Sequence, residues 1–105
     1  MYQVTRTAVK PSVDVEFYST NGDDELSANF RTEWWKNYIQ TQDKLILIDI
    51  TFSDDNLTKT TVFIWDCEDS WKEAGALPAV AATWADRDIY NNKNGILITE
   101  VGALL

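Results

Sequence analysis

Apolar residues recur along this chain with a period of two in several stretches and a period of three to four in two others, and the elements follow from that alternation. Residues 2–9 put Tyr2, Val4, Arg6 and Ala8 on one face and Gln3, Thr5, Thr7 and Val9 on the other, the pattern of a strand. After Lys10-Pro11-Ser12 the alternation resumes, with Val13, Val15 and Phe17 against Asp14, Glu16 and Tyr18. This is either a short edge extension or an extended connection. Two central runs, 44–52 (KLILIDITF) and 59–66 (KTTVFIWD), are apolar on both faces. A half-exposed hairpin alternates apolar with polar residues, so each side of this one needs a cover. Ser53-Asp54-Asp55-Asn56 supplies turn chemistry between the two runs, and residues 96–101 form a last strand.

The longer period marks helices. Thr20-Asn21-Gly22 forms a turn, Asp23-Asp24-Glu25 suits a helix N-terminus, and Leu26, Phe30, Trp34 and Tyr38 draw one stripe with Trp35 and Ile39 beside it. Asp66 is placed to cap a second helix, with Asp69 three residues on. Gly75 and Pro78 should break that helix into a segment of about 68–76 and a longer one of about 78–92, the latter carrying Val80, Ala81, Trp84, Ala85 and Ile89 and stopping at Asn94-Gly95. The order β-α-β-β-α-β predicts a single ferredoxin-like α+β domain over 1–105, with a four-stranded antiparallel sheet and both helices on one face.

That plan leaves the other sheet face open. On the first central run Ile46, Ile48, Ile50 and Phe52 oppose Leu45, Leu47, Asp49 and Thr51, and on the second Val62 and Ile64 oppose Phe63 and Trp65. An open apolar face of several hundred Å² is worth several kcal/mol when buried, at about 25 cal/mol per Å². A homodimer packed sheet on sheet is the simplest cover, and Ile48→Asp is expected to dissociate or unfold it.

Composition narrows the partners. A chain of 105 residues with 45% hydrophobic side chains builds one packed core. Its net charge of -8 and scattered basic residues argue against nucleic acid and against an anionic membrane surface. The opening MYQVTRTAVK lacks signal-peptide regions and no apolar run is long enough for a membrane span, so a soluble, cytoplasmic protein is expected. Cys67 is the single cysteine, expected to be buried or half-buried at a strand end, and no intrachain disulfide can form.

The element order, the first strand followed by Lys10-Pro11, and the stretch Phe63-Ile64-Trp65-Asp66 with Asp69-Ser70-Trp71-Lys72-Glu73-Ala74 opening a broken helix together resemble the dimeric α+β barrel superfamily, which includes antibiotic-biosynthesis-monooxygenase-like proteins. The resemblance spans nearly the whole chain. It implies a ferredoxin-like protomer, a sheet-to-sheet dimer and a small pocket between helices and sheet. Some members oxidise polyketide-like aromatics without a cofactor and some degrade haem. The chain has no histidine, so the proximal haem ligand of the latter group is missing, as are Ser-His-Asp relays and the usual histidine-containing zinc or iron sites. Asp54-Asp55-Asn56 lacks the calcium-loop frame and is expected to be a solvated turn. No metal and no cofactor are expected.

Aromatic and polar residues remain for a pocket: Trp34, Tyr38, Trp65 and Trp84, with Arg6 and Asp49 as charges from strands. Two readings follow. One is a small dimeric protein that binds an apolar or aromatic ligand between helices and sheet. The other is a cofactor-independent monooxygenase acting on an aromatic substrate, with Asp49, Tyr38 or an asparagine forming and holding an enolate. Asp49 either serves that chemistry, pairs with Arg6 or lies at the dimer interface.

Overall fold

A computed structural model of the chain describes residues 1–18 and 44–105. The helix expected between the first two strands, with Trp34 and Tyr38, lies outside the described residues. Four eight-residue strands, β1 (Tyr2–Val9), β2 (Leu45–Phe52), β3 (Thr58–Trp65) and β4 (Leu97–Leu104), form one sheet in the order β2-β3-β1-β4, every neighbouring pair antiparallel. Helices α1 (Glu68–Ala76) and α2 (Pro78–Asn94) connect β3 to β4. The arrangement is the ferredoxin-like α+β fold, with β1 and β3 central and β2 and β4 at the edges. None of the described helices is long and apolar enough to cross a membrane.

Register assigns every strand residue to a face, because directly opposed residues of an antiparallel pair point the same way. Val4 opposes Phe63 and Tyr2 opposes Trp65; Val4, Phe63 and Trp65 with Leu45, Ala74 and Val80 make the buried core, against which Tyr2, Ile48, Trp71, Leu77 and Trp84 pack. This is the helix side. The opposite face carries Leu47, Asp49, Val62, Ile64, Thr5, Thr7, Leu97 and Val101, and Leu97 and Val101 are each about two-thirds exposed. The alternation predicted for β2 needs one correction. A bulge between Leu45 and Leu47 inserts Ile46 as an extra residue, so Leu45 turns to the helix side with Ile48 rather than pairing with Leu47 and Asp49. Ile48 therefore points at the core, and an Asp there acts on folding, not on the open face.

Residues 10–18 are a connection, not an edge strand: they run in bends and turns, with Val13 exposed. Lys10 anchors the start through its amide to the Leu57 carbonyl (2.8 Å), its Nζ lying 4.4 Å from the centre of the Phe17 ring. Tyr90 holds the far end by donating from its hydroxyl to the Glu16 carbonyl at 2.7 Å, and Tyr18 and Tyr90 pack ring on ring. The β2–β3 turn is solvated, as expected. Asp55 accepts from Ser53 Oγ and the Leu57 amide, which holds its carboxyl below the usual carboxylate range.

The helical segments differ from expectation at their ends. Cys67 is the residue at the N-cap of α1; Asp66, one place earlier, accepts from the Cys67 amide at 2.8 Å and is held below its ordinary value first by a hydrogen bond from Ser70. The Cys67 side chain is exposed rather than buried. Gly75 does not break the helix, which runs on to Ala76. The break is at Leu77, whose extended backbone (φ -63°, ψ 131°) is the conformation the following proline imposes. Leu77 is at once the C-cap of α1 and the N-cap of α2, with Pro78 at the first position of α2, where its missing N–H costs nothing.

Gly95 ends α2 in the left-handed region (φ 69°), where its amide and that of Ile96 both return to the Asn91 carbonyl. Gly95→Ala is expected to cost about 1 kcal/mol through backbone strain. A thermal melt followed by circular dichroism should show a midpoint several degrees lower; an unchanged midpoint would show that the cap does not need the left-handed backbone.

Candidate functional site

Between α2 and the sheet, one helix face and one strand position bring together two guanidinium groups, Arg6 and Arg87, with Trp84 and the buried Asn91. Val80, Trp84, Arg87 and Asn91 follow one another at intervals of three or four, a single stripe along α2 turned to the sheet. Val80 is fully buried and Asn91 nearly so. Opposite them stands Arg6, on central strand β1 and on the helix side because it shares the face of Val4.

Arg6 is directly opposed to Glu100 across the β1–β4 ladder; its Nε donates to Glu100 Oε2 at 2.9 Å, and Nη2 lies 2.9 Å from the same oxygen. The guanidinium carbon lies 5.2 Å from the centre of the Phe63 ring and 5.6 Å from that of Trp84. Burial lowers the Arg6 pKa and the nearby charge of Arg87 lowers it further, while Glu100 acts in the opposite direction. Arg87 approaches the same indole, its guanidinium carbon 5.7 Å from the ring centre. Trp84 thus has two cations within 6 Å, one neutralised by Glu100.

Arg87 is held less well. Its Nη2 reaches the exposed Asp88 carboxylate at a long 3.4 Å, and its Nε and Nη1 are buried with no hydrogen-bond partner among the described residues. Asn91 Nδ2, one helical turn on, and Trp65 Nε1 on β3 are orphaned in the same way. The three indoles form a series, Trp65 to Trp71 at 6.1 Å and Trp71 to Trp84 at 5.2 Å between ring centres. A glycine makes the last contact possible, since a Cβ at Gly75 would come within 2.8 Å of Trp84 Cζ3.

Of the residues singled out from the sequence, Arg6, Trp65 and Trp84 stand on the helix side. Trp34 and Tyr38 lie outside the described residues. Asp49 is placed elsewhere: it opposes Val62 on the open face and is exposed, so it neither pairs with Arg6 nor shares its compartment. The base that an enolate-forming reaction would have drawn from Asp49 is thus on the wrong side of the sheet, and Glu100 is tied to Arg6. The helix side thus gathers three packed indoles, two guanidinium groups and buried hydrogen-bond donors. Sequence reading did not single out Arg87, Asn91 and Glu100. The 84–87–91 spacing held the signal for the first two, but Asp86-Arg87-Asp88 looks like a solvated charge run.

Neither a protein-family model nor a curated protein matches the chain. Solved structures do match, in fold. One is a proposed antibiotic biosynthesis monooxygenase from Deinococcus radiodurans (TM-score 0.60, 13% identity, covering 100% of this chain and 92% of that one). Two are dimeric ferredoxin-like proteins from uncultured marine organisms. The first has a TM-score of 0.64 at 12% identity over 99% of this chain and 94% of that one; the second has 0.56 at 13% over 100% and 94%.

Proposed function

We propose that the chain works as a homodimer, joined through the open sheet face, that binds a small aromatic or apolar molecule between α2 and the sheet. The observation that carries the binding half is the indole series Trp65–Trp71–Trp84, its rings tilted to one another by 51° and 41°, ending beside the Arg6 guanidinium, an aromatic lining with a cation at its end. The dimer half rests on the open face. Four strands of eight residues span roughly 19 by 26 Å, which with side-chain relief approaches the about 800 Å² per partner of a standard interface. Leu47, Val62, Ile64, Leu97 and Val101 supply its apolar content, and two of the proteins that share the fold are dimeric. On this reading Asp49 sits at the rim or within the interface. The exposed Cys67 thiol suits a reducing, cytoplasmic setting, and the charge of -8 disfavours nucleic acid and anionic membranes as partners.

Sedimentation at micromolar concentration is expected to give about twice the protomer mass of 12.0 kDa. Val101→Asp should yield a folded monomer, because Val101 is exposed in the protomer and contributes nothing to the core. A monomeric wild type, or an unchanged dimer in the variant, overturns the sheet-on-sheet arrangement. Calorimetric titration with bicyclic aromatics, the neutral 2-naphthamide and the acidic 2-naphthoate, tests the ligand half: saturable binding that Trp84→Leu weakens is the expected result, and no binding of either refutes it.

A further inference from the structure

The orphaned polar atoms of this interior have one chemistry in common: Arg87 Nε, Arg87 Nη1, Asn91 Nδ2 and Trp65 Nε1 are all donors. A buried donor without a partner costs free energy, most of all on a charged group, and folded proteins rarely keep one that nothing ever satisfies. The charges are also unequal. Arg6 is matched by Glu100 through a hydrogen bond and a close ion pair, whereas Arg87 has only the 3.4 Å approach of Asp88, whose side chain is 63% exposed and screened by water. In a chain of net charge -8, the inner face of α2 therefore holds a cation with no buried counter-charge among the described residues.

We infer that the ligand bound between α2 and the sheet is an aromatic carboxylate, its ring against Trp84 and its carboxylate received by Arg87 together with the Asn91 amide. Resting on the binding reading above, this assignment names the ligand's class. The two residues are one helical turn apart on the stripe that begins with Val80 and Trp84, so a ring on the indole places its acidic substituent toward position 91. Glu100 divides the work between the two arginines. Arg6, neutralised, is a fixed part of the wall, and Arg87, with donors to spare, is the group that reads the charge. A neutral apolar ligand would leave the Arg87 and Asn91 donors unsatisfied, and a carboxylate supplies the acceptors these two residues lack.

The test compares 2-naphthoate with the neutral 2-naphthamide by calorimetry on the full chain. Wild type is expected to bind the carboxylate about tenfold or more tightly than the amide, the range of a hydrogen bond to a charged group. Arg87→Gln should bring the two within about twofold without weakening the amide, and Arg87→Lys should keep part of the preference. Without ligand, Arg87→Gln should melt no lower than wild type, since it removes an uncompensated charge; a lower melt marks Arg87 as structural and counts against the assignment. Equal affinities in wild type overturn the carboxylate and leave the binding reading standing, whereas failure of both compounds to bind overturns both. Should Arg87→Gln not fold, the wild-type comparison and Arg87→Lys decide the matter.

Discussion

Trp65→Ala is expected to remove about 3–5 kcal/mol of stability, from a total that for a domain of this kind is about 5–15 kcal/mol. Trp65 is 1% exposed, at the end of β3 where Tyr2 of β1 and Leu45 of β2 oppose it from either side. It is the largest of the fully buried side chains, and Trp71 of α1 rests on it. Its removal opens a void that three strands and a helix border, and two of those strands are held in register by ladders that cannot shift to fill it. The lost indole N–H adds nothing to that cost, since it has no partner among the described residues. A thermal melt should fall by well over about 10 °C, or the variant should be unfolded at room temperature. A shift of only a few degrees would show that the indole is not packed as described.

Glu100→Ala is expected to be the most damaging change at a partly exposed position. The Arg6 side chain is 14% exposed, lies between two aromatic rings and has Glu100 as its hydrogen-bond acceptor; without it the guanidinium is a buried charge with Arg87 nearby. Breaking a fully buried pair costs about 3–5 kcal/mol. Because the Glu100 side chain is 36% exposed, water enters in its place and the expected loss is about 1–3 kcal/mol. Urea unfolding should show a lower midpoint at unchanged slope. The double replacement Arg6→Met with Glu100→Leu should restore most of the loss, since it leaves no charge unpaired. If the double variant is as unstable as the single one, the cost arises from packing and not from the orphaned cation.

The sheet was legible because β1 alternates, the two central runs are rich in β-branched and aromatic residues, and the turn residues are unambiguous; Ser53 to Asn56 and Gly95 fall where the structure turns. The bipartite helix was legible from Pro78, whose geometry permits little else. The sequence was misleading where one residue changes the phase of a pattern. Ile46 is apolar and β-branched, so nothing local separates a bulge there from regular strand, yet it moves Leu45 from one face to the other. Asp49 looked like chemistry because it interrupts an apolar run, and pairwise register, a long-range property, puts it on the side away from Arg6. The reverse error hid Arg87. Flanked by Asp86 and Asp88 it resembles surface, and only the packing of α2 against the sheet separates it from them.

Leu77 has a consequence for how this chain tolerates changes in length. A single residue closes one helix and opens the next, so the junction contains no slack. One residue inserted there would turn α2 by about 100° relative to α1 if taken up as helix. The notch at Gly75 would then miss the Trp84 ring, and the stripe from Val80 to Asn91 would swing away from Arg6. The junction sets the phase of the helix pair as a keyed shaft sets the timing of two gears, and it makes the chain's least permissive point for insertion an exposed-looking proline corner rather than a residue of the core.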